Sequence, residues 1–116
     1  MTISQALIKM SDQLGADLIL TTGGTGLSPT DITPEATMDV IDRNVPGIPE
    51  IMRLKSLQVT PMAALSRAVA GIRNKTLIIN LPGSPKAVQE CLEVILPILP
   101  HAMEILKGQA GECARK

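Results

Sequence analysis

The apolar pattern at the start of the chain predicts a helix followed by a buried strand. Thr2 with Gln5 three positions later is a capping-box pattern, and Gly15 marks the expected end of this helix. The next segment, "DLILTT" from Asp17 to Thr22, is almost wholly apolar, which is typical of a strand buried on both faces of a parallel sheet. The apolar residues that recur at helical spacing are Ile3, Leu7, Met10 and Leu14.

Further helices are expected in the middle of the chain. Thr33, Pro34 and Glu35 are typical of a helix start, with a hydroxyl cap, proline at the first helical position and an acid in the first turn. We expect this helix to run to about Arg43. The pattern also predicts two later helices, one from about Ile48 to Leu57 and a short one at Met62 to Leu65.

The second half of the chain repeats the order of strand, glycine turn and proline-opened helix. "KTLIIN" is a second buried-strand pattern, and Ser84 and Pro85 in the following "LPGSPKAV" predict a capped helix start. Because the order occurs twice, two loops should lie at the carboxyl ends of parallel strands, where open α/β sheets bind ligands. The last two helices are expected at about Pro85 to Leu96 and Pro97 to Lys107.

Composition indicates one domain with an aliphatic core. The 116 residues suffice for one domain, and the chain has no Phe, Trp or Tyr. Eleven basic residues balance eleven acidic ones without a long run of one sign, which argues against binding of nucleic acid by bulk charge. No apolar run is long enough to span a bilayer, and the first residues lack the plan of a signal peptide, so we expect a cytoplasmic protein.

The two cysteines have neither disulfide-framework nor metal-ligand spacing. Cys91 shares a predicted helical face with Val88 and Ile95, which favours a buried structural thiol. Cys113 lies in a polar segment, residues 109–116, which we expect to be a flexible tail after a domain of residues 1–108.

The segment "LTTGGTGLSPTDITPEAT" concentrates glycines and hydroxyls around a single aspartate, Asp31. The N–H groups of a glycine turn can bind an anion without cationic side chains, although an ordinary tight turn is the alternative. A carboxylate beside a phosphate is unfavourable unless a cation such as Mg²⁺ lies between them; alternatively, Asp31 caps nearby N–H groups. Arg67 is a candidate phosphate contact, or it is only solvated.

Several segments together resemble the molybdopterin adenylyltransferase family, the MogA/MoaB group, and also the G domain of gephyrin. They are "DLILTTGGTG", the aspartate that follows it, "TPEAT", "LSRAVAGIRNKTLIINLPGSPKAV" and "ILPILPHAMEIL", and they cover about Ile3 to Gly108. The resemblance implies a three-layer α/β sandwich with a mostly parallel sheet, assembled as a homotrimer. It also implies an enzyme of molybdenum cofactor biosynthesis that uses ATP and Mg²⁺ to adenylylate molybdopterin and releases pyrophosphate.

Carried onto this chain, the resemblance makes Asp31 the catalytic residue, acting through Mg²⁺. Members of the family have a further amino-terminal segment with a second functional aspartate, and commonly an arginine where this chain has Thr30. The alternatives are therefore a molybdopterin-binding module without turnover and an oligomerisation or scaffold fragment, and a strand missing from the sheet predicts self-association. The implied substrate- and nucleotide-binding residues are Thr22, Gly23, Gly24, Thr25, Gly26, Glu35, Ser66, Arg67, Pro82, Gly83 and Ser84.

Overall fold

The computed structural model describes residues 1–108, and the predicted tail with Cys113 lies outside the described residues. The strands are β1 (Leu18–Thr22), β2 (Arg43–Asn44), β3 (Ala70–Arg73) and β4 (Thr76–Leu81). The α-helices are α1 (Ile3–Ile8), α2 (Thr33–Met38), α3 (Gly47–Leu57), α4 (Pro85–Ile95) and α5 (Leu99–Leu106). α1 continues into a π-helical turn, Lys9–Gln13, and two 3₁₀ turns cover Pro61–Leu65 and Leu96–Ile98.

The two strands that the apolar pattern predicts are neighbours and run parallel. β1 pairs with β4 from Leu18 opposite Leu77 to Thr22 opposite Leu81. The sheet order is β1-β4-β3-β2, in which β3 is antiparallel to β4 and the short β2 is antiparallel to β3. All of β4 is buried, as expected for a strand covered on both faces.

Helices cover both faces of the sheet. On one face, α3, α4 and α5 pack around Leu77, Ile79 and Leu81, and Cys91 is buried among them. On the other face, Leu7 of α1 and Val40 after α2 pack against Ile19 and Ile78. The predicted α/β fold class and the buried position of Cys91 are therefore confirmed.

Helix starts that depend on local signals are confirmed at two positions. Thr2 and Gln5 form the capping box of α1, and Ser84 Oγ accepts a hydrogen bond from the N–H of Ala87 at the start of α4. Thr33, in contrast, is not a cap. It lies inside α2, the flanking residue is Ile32, and no side chain caps this end.

The predicted end of the second helix at Arg43 is wrong, because α2 ends at Met38. The chain then turns toward the sheet: Val40 is buried in the core, and the N–H of Asp42 donates to the carbonyl of Ile72 (2.7 Å). Arg43 and Asn44 form β2 instead. The last helix also begins later than predicted, at Leu99, because a 3₁₀ turn holds Pro97.

β3 was not predicted, since "AGIR" contains neither an apolar run nor a regular alternation. Gly71 explains its position in the sheet: a β-carbon there would lie 2.8 Å from the carbonyl oxygen of Arg43. Glycine therefore lets β2 approach β3 closely. Among the described residues, no helix combines the length and apolarity needed to cross a membrane.

Candidate functional site

Two glycine loops meet at the carboxyl ends of β1 and β4, as the repeated pattern predicts. The first loop follows β1 and contains Gly23, Gly24 and Gly26, and the second follows β4 and contains Gly83. The N–H of Gly23 donates to the carbonyl of Leu81 at 3.0 Å. A β-carbon on Gly83 would lie 3.4 Å from the Cα of Gly23, so the two backbones are almost in contact. Gly23 and Gly24 both have positive φ, +83° and +70°, which other residues adopt only with strain. Thr22, the last residue of β1, is exposed beside them.

Glycines also shape the rest of the first loop. The carbonyl of Gly24 accepts a hydrogen bond from the N–H of Thr33 (3.1 Å), and a β-carbon on Gly24 would collide with Thr33 Oγ1. A β-carbon on Gly26 would lie 2.8 Å from Asp31 Oδ2. The missing side chains therefore let the start of α2 and the Asp31 carboxylate lie directly against the loop.

Asp31 closes the loop on itself. Its Oδ2 accepts a hydrogen bond from the N–H of Ser28 (3.1 Å), and its own N–H donates to the Ser28 carbonyl (2.9 Å). The side chain is half-buried and leaves Oδ1 without a donor among the described residues. Asp31 therefore caps a nearby N–H group, which was the alternative to a ligand-binding role, and it does so within its own loop. Its Oδ1 remains available to a ligand.

A Mg²⁺ held by the protein alone does not fit these residues. Among residues 1–108, no three His, Cys, Asp or Glu side chains are grouped so that they could hold a metal ion. Within residues 1–108, Asp31 is the carboxylate that lies against a loop glycine, Gly26, and Glu35 is paired with Arg67. Mg²⁺ commonly binds through one or two carboxylates together with substrate phosphates, and one carboxylate fits an ion of that kind.

Arg67 contacts the loop itself. Its Nε donates to the carbonyl of Gly26 (2.7 Å), and its Nη2 donates to the carbonyl of Asp31 (2.6 Å). Nη1 and Nη2 bind both carboxylate oxygens of Glu35. Hydrogen bonding with Arg67 is the main cause that lowers the pKa of Glu35, and the same bond raises the pKa of Arg67. Arg67 and Glu35, which were predicted separately as ligand contacts, form an ion pair with each other next to the loop.

A groove of about 370 Å³ opens next to the loops, between α3, the Pro61–Leu65 turn and α4. Its walls are mostly apolar and include Met52, Met62, Ala87 and Cys91. Burial raises the pKa of the Cys91 thiol, which therefore stays protonated at neutral pH. The predicted site residues that line the groove are Thr25, Gly26, Ser66, Pro82 and Ser84. The predicted residues outside its lining are Thr22, Gly23, Gly24, Asp31, Glu35, Arg67 and Gly83.

The contribution of α3 to this groove was missed. Arg53 lines it and donates from Nη1 to the carbonyls of Ser66 (3.3 Å) and Ala68 (3.1 Å), which fixes the segment between the turn and β3. The helical pattern of α3 was recognised, but no sequence signal indicated which of its faces borders the loops.

Asn80 was also missed, although it is the one polar side chain in the apolar run of β4 after Thr76. It is completely buried, and its Oδ1 accepts from the N–H of Val69 (3.1 Å). Its Nδ2 donates to Oγ1 of Thr21 (3.1 Å) and of Thr37 (3.0 Å). The side-chain amide of Asn80 thus links β4 by hydrogen bonds to β1, to α2 and to the residue before β3. Asn80 is the penultimate residue of β4, so these bonds lie next to the two loops.

Comparison with known proteins gives consistent matches. A family described as "Probable molybdopterin binding domain" matches residues 1–101. The molybdopterin adenylyltransferase of Helicobacter pylori J99 is 53% identical over 106 residues, which are 91% of this chain and 60% of that protein. Gephyrin of Dictyostelium discoideum is 50% identical over 105 residues, 90% of this chain and 15% of that protein.

Solved structures of molybdopterin biosynthesis proteins also match this chain. The molybdopterin biosynthesis enzyme MoaB of Thermus thermophilus matches with a TM-score of 0.85 and 59% identity, over 91% of this chain and 67% of that one. The molybdopterin biosynthesis Mog protein of Mycobacterium ulcerans matches with a TM-score of 0.84 and 43% identity, over 89% and 67%. The chain spans about 60% of the length of the bacterial adenylyltransferases that it matches.

Proposed function

Because the chain belongs to the family of molybdopterin-binding domains, we propose that it binds molybdopterin at the paired glycine loops and takes part in its adenylylation. In that reaction an oxygen of the terminal phosphate of molybdopterin attacks the α-phosphorus of ATP. The bond from the α-phosphorus to the bridging oxygen breaks, and pyrophosphate leaves. The product, adenylyl-molybdopterin, belongs to molybdenum cofactor biosynthesis.

The close approach of the two glycine loops carries this proposal. Gly23 and Gly83 leave no side chain between the backbones, so phosphate groups can reach the N–H groups of the loop. Phosphoryl-type transfer asks a protein mainly to position anionic reactants and to stabilise developing charge. A loop of backbone donors suits that task without a nucleophilic side chain.

The groove beside the loops supports binding of a flat heterocycle. Apolar side chains such as Met52, Met62 and Ala87 line it, and flexible methionines adapt to a planar surface. Since the chain has no Phe, Trp or Tyr and the groove is lined mostly by apolar aliphatic side chains, pterin or adenine would pack on aliphatic walls. Thr25, Gly26 and Ser66 belong to both the groove and the loop region, so a heterocycle in the groove would carry its phosphate toward the glycines.

Asp31 is the residue that we assign to charge control. Mg²⁺ bound to the substrate phosphates would neutralise part of their charge, and Asp31 is the carboxylate placed to ligate such an ion. The hydrogen bond from Ser28 holds the carboxylate at the loop before any ligand arrives. Asp31 thus acts by position and charge, and not as a nucleophile.

Binding without turnover is the second candidate. The chain spans about 60% of the length of the adenylyltransferases, and Asp31 is the one carboxylate at the described glycines. A molybdopterin-binding module would need the loops and the groove but no further charged groups. The expected homotrimer and the cytoplasmic location remain predictions.

A fluorescence titration with molybdopterin separates these possibilities. The chain contains no Trp, Tyr or Phe, so the pterin signal is observed without protein fluorescence. The wild-type chain, Asp31→Asn and the control Asp39→Asn are titrated, and pyrophosphate release is then followed with ATP and Mg²⁺. Asp39 is an exposed carboxylate after α2 that makes no ion pair among residues 1–108.

We expect saturable binding by all three proteins, and a rate of pyrophosphate release that Asp31→Asn lowers about 100-fold while Asp39→Asn leaves it unchanged. Binding without any pyrophosphate release would select the binding module. Absence of binding by a chain whose circular dichroism shows it to be folded would refute both candidates.

A further inference from the structure

Arg67 lies on the carbonyl side of the glycine loop. Its N–H donates to the carbonyl of Thr25 (2.8 Å), and its guanidinium donates to the carbonyls of Gly26 and Asp31. One residue therefore fixes three carbonyl groups of the first loop. The side chain of Arg67 is not part of the groove lining, although Thr25 and Gly26 are.

This arrangement determines where the next N–H groups point. In a trans peptide the carbonyl and the following N–H point in opposite directions, and the chain has no cis peptide bonds in the described region. The N–H groups of Gly26, Leu27 and Ile32 are therefore turned away from Arg67. None of the three donates to an acceptor within residues 1–108.

We propose that Arg67 is a positioning residue, which holds the loop by its carbonyls so that the N–H groups of Gly26, Leu27 and Ile32 face an anionic group of the ligand. The inference rests on the proposed function and deepens it by naming these N–H groups as the donors to a phosphate. It replaces the expectation that the guanidinium itself binds phosphate.

The charges around Arg67 support an indirect role. Its guanidinium already donates to Glu35 through two nitrogens, and the Asp31 carboxylate is a second nearby negative charge. These partners neutralise the cation, so it is a weak attractor for an anion beyond the loop. A cation hydrogen-bonded to a carbonyl also polarises that peptide group, which strengthens the N–H on its other side as a donor.

Nuclear magnetic resonance of the 12.3 kDa chain tests the role of Arg67. Inorganic pyrophosphate with Mg²⁺ is titrated into the wild-type chain, Arg67→Met and the control Arg73→Met. Arg73 also pairs with a carboxylate, Asp12, and donates to a carbonyl, that of Val40, but it lies at the opposite end of the strands. We expect saturable shifts at the amides of Gly26, Leu27 and Ile32, and about tenfold weaker binding only in Arg67→Met.

Amide hydrogen exchange supplies a readout that does not depend on ligand. Arg67→Met should speed exchange at Asp31 and Thr33, whose N–H groups make hydrogen bonds within the loop, while Ile78 and Ile79 keep their rates. Unchanged exchange at Asp31 and Thr33 would overturn the inference. Equal acceleration at all four amides would do so too, because Arg67 would then support the whole fold and not the loop.

Glu35→Met distinguishes positioning from direct contact by the sign of its effect. If Arg67 bound phosphate directly, removal of Glu35 would release the guanidinium and tighten pyrophosphate binding. If Arg67 positions the loop, loss of its anchor should weaken binding about threefold, although a negative charge has been removed. Tighter binding by this variant would contradict the inference.

The outcomes also separate this inference from the proposed function. Pyrophosphate shifts that depend on Arg67, with no binding of molybdopterin, would refute the function and keep the inference. Molybdopterin binding without shifts at Gly26, Leu27 and Ile32 would refute the inference and keep the function. Binding of neither probe would refute both.

Discussion

Gly24 shows how much of the site depends on a missing side chain. It has a positive φ of +70°, and a β-carbon added there would collide with the side chain of Thr33 at the start of α2. Gly15 has nearly the same φ, +66°, but a β-carbon there would meet nothing within 4 Å. The two glycines therefore separate the cost of backbone strain from the cost of a collision.

Gly15→Ala should lower the free energy of unfolding by about 1–2 kcal/mol, the cost of a left-handed conformation for alanine. Gly24→Ala should cost more, because α2 must also move away from the loop, and it should weaken molybdopterin binding as well. Urea unfolding followed by circular dichroism measures both stabilities. Equal costs for the two variants would show that the loop accommodates the methyl group freely.

Ser84 and Arg67 mark the limits of residue-level prediction. The capping role of Ser84 was predicted correctly, because its hydrogen-bond partner Ala87 is only three positions away and Pro85 reinforces the signal for a helix start. The partners of the Arg67 side chain lie 32 to 41 positions away along the chain. No local pattern reports such contacts, so the sequence alone leaves Arg67 as either a candidate phosphate contact or a solvated residue.

Hydrogen bonds between β4 and α2 help to hold the first glycine loop in place. Thr37 Oγ1 receives a hydrogen bond from Asn80 and donates one to the carbonyl of Thr33, and both side chains are completely buried. Because Thr33 packs against Gly24, this chain of contacts connects β4 to the first loop through α2. Each group in it is satisfied only while the others keep their places.

Thr37→Val keeps the shape of the side chain but leaves an N–H of Asn80 without its acceptor. We expect it to lower the free energy of unfolding by about 1–3 kcal/mol, the cost of an unsatisfied buried polar group. Thr37→Ser keeps the hydroxyl and is the matched control, with a smaller loss due to the missing methyl group. Urea unfolding of both variants is the measurement, and a more stable Thr37→Val than Thr37→Ser would contradict the expectation.

At the other end of the strands, an ion pair links α1's π-helical turn to β3. Arg73 binds both carboxylate oxygens of Asp12, at 3.1 and 2.8 Å, and this hydrogen bonding is the main cause that lowers the pKa of Asp12. Because the native pKa is below the unfolded one, the pair stabilises the fold above the ordinary aspartate range. Its contribution is lost as the pH falls through the lowered native pKa.

Asp12→Asn should therefore flatten the dependence of stability on pH in the acid range, below about pH 4, near the ordinary pKa of aspartate. Urea unfolding of wild type and variant from neutral pH to the acid limit of the native state measures this difference. Asp39→Asn is the control variant, because Asp39 makes no ion pair among residues 1–108. Parallel curves for wild type and Asp12→Asn would refute the assignment.

The strands also show which elements a sequence can reveal. The apolar runs of β1 and β4 predict both strands and their parallel pairing, and β4 is buried as expected. The predicted burial of β1 on both faces is wrong, because β1 is an edge strand of the described sheet and its Leu20 and Thr22 are exposed. β2 has two residues and β3 contains Gly71, and both exist because they pair with each other and with β4. The groove was missed for a related reason, since it arises only when α3, α4 and the loops come together.

The sheet as a whole leaves one side of β1 without a partner strand in the described region. β1 is at the edge of the order β1-β4-β3-β2, and Leu20 on it is 40% exposed. An exposed strand edge carries unpaired N–H and C=O groups, and an apolar edge is a template for pairing with another chain. This is the physical basis for the predicted self-association.

Leu20→Lys should reduce that association, because a charged edge resists pairing with a second strand. Leu54→Lys, at an exposed leucine on α3, is the control for a general gain in charge. Sedimentation velocity over a range of concentrations measures the effect. A discrete trimer that Leu20→Lys leaves intact would place the association elsewhere, and a monodisperse wild-type monomer that melts cooperatively would contradict the prediction.

The pairing of β1 with β4 also sets the order in which the molecule folds. β3 and β4 are joined by a tight turn at Asn74 and pair locally, whereas Leu18 must pair with Leu77, which lies about half of the chain away. Non-local parallel pairing is slow because loop-closure entropy is lost before the contacts form. We therefore expect the glycine loops, which exist only where β1 and β4 end together, to appear in the last kinetic step. The ability to bind a ligand then depends on the complete fold, because a nascent chain that has formed only the β3–β4 hairpin still lacks the paired loops.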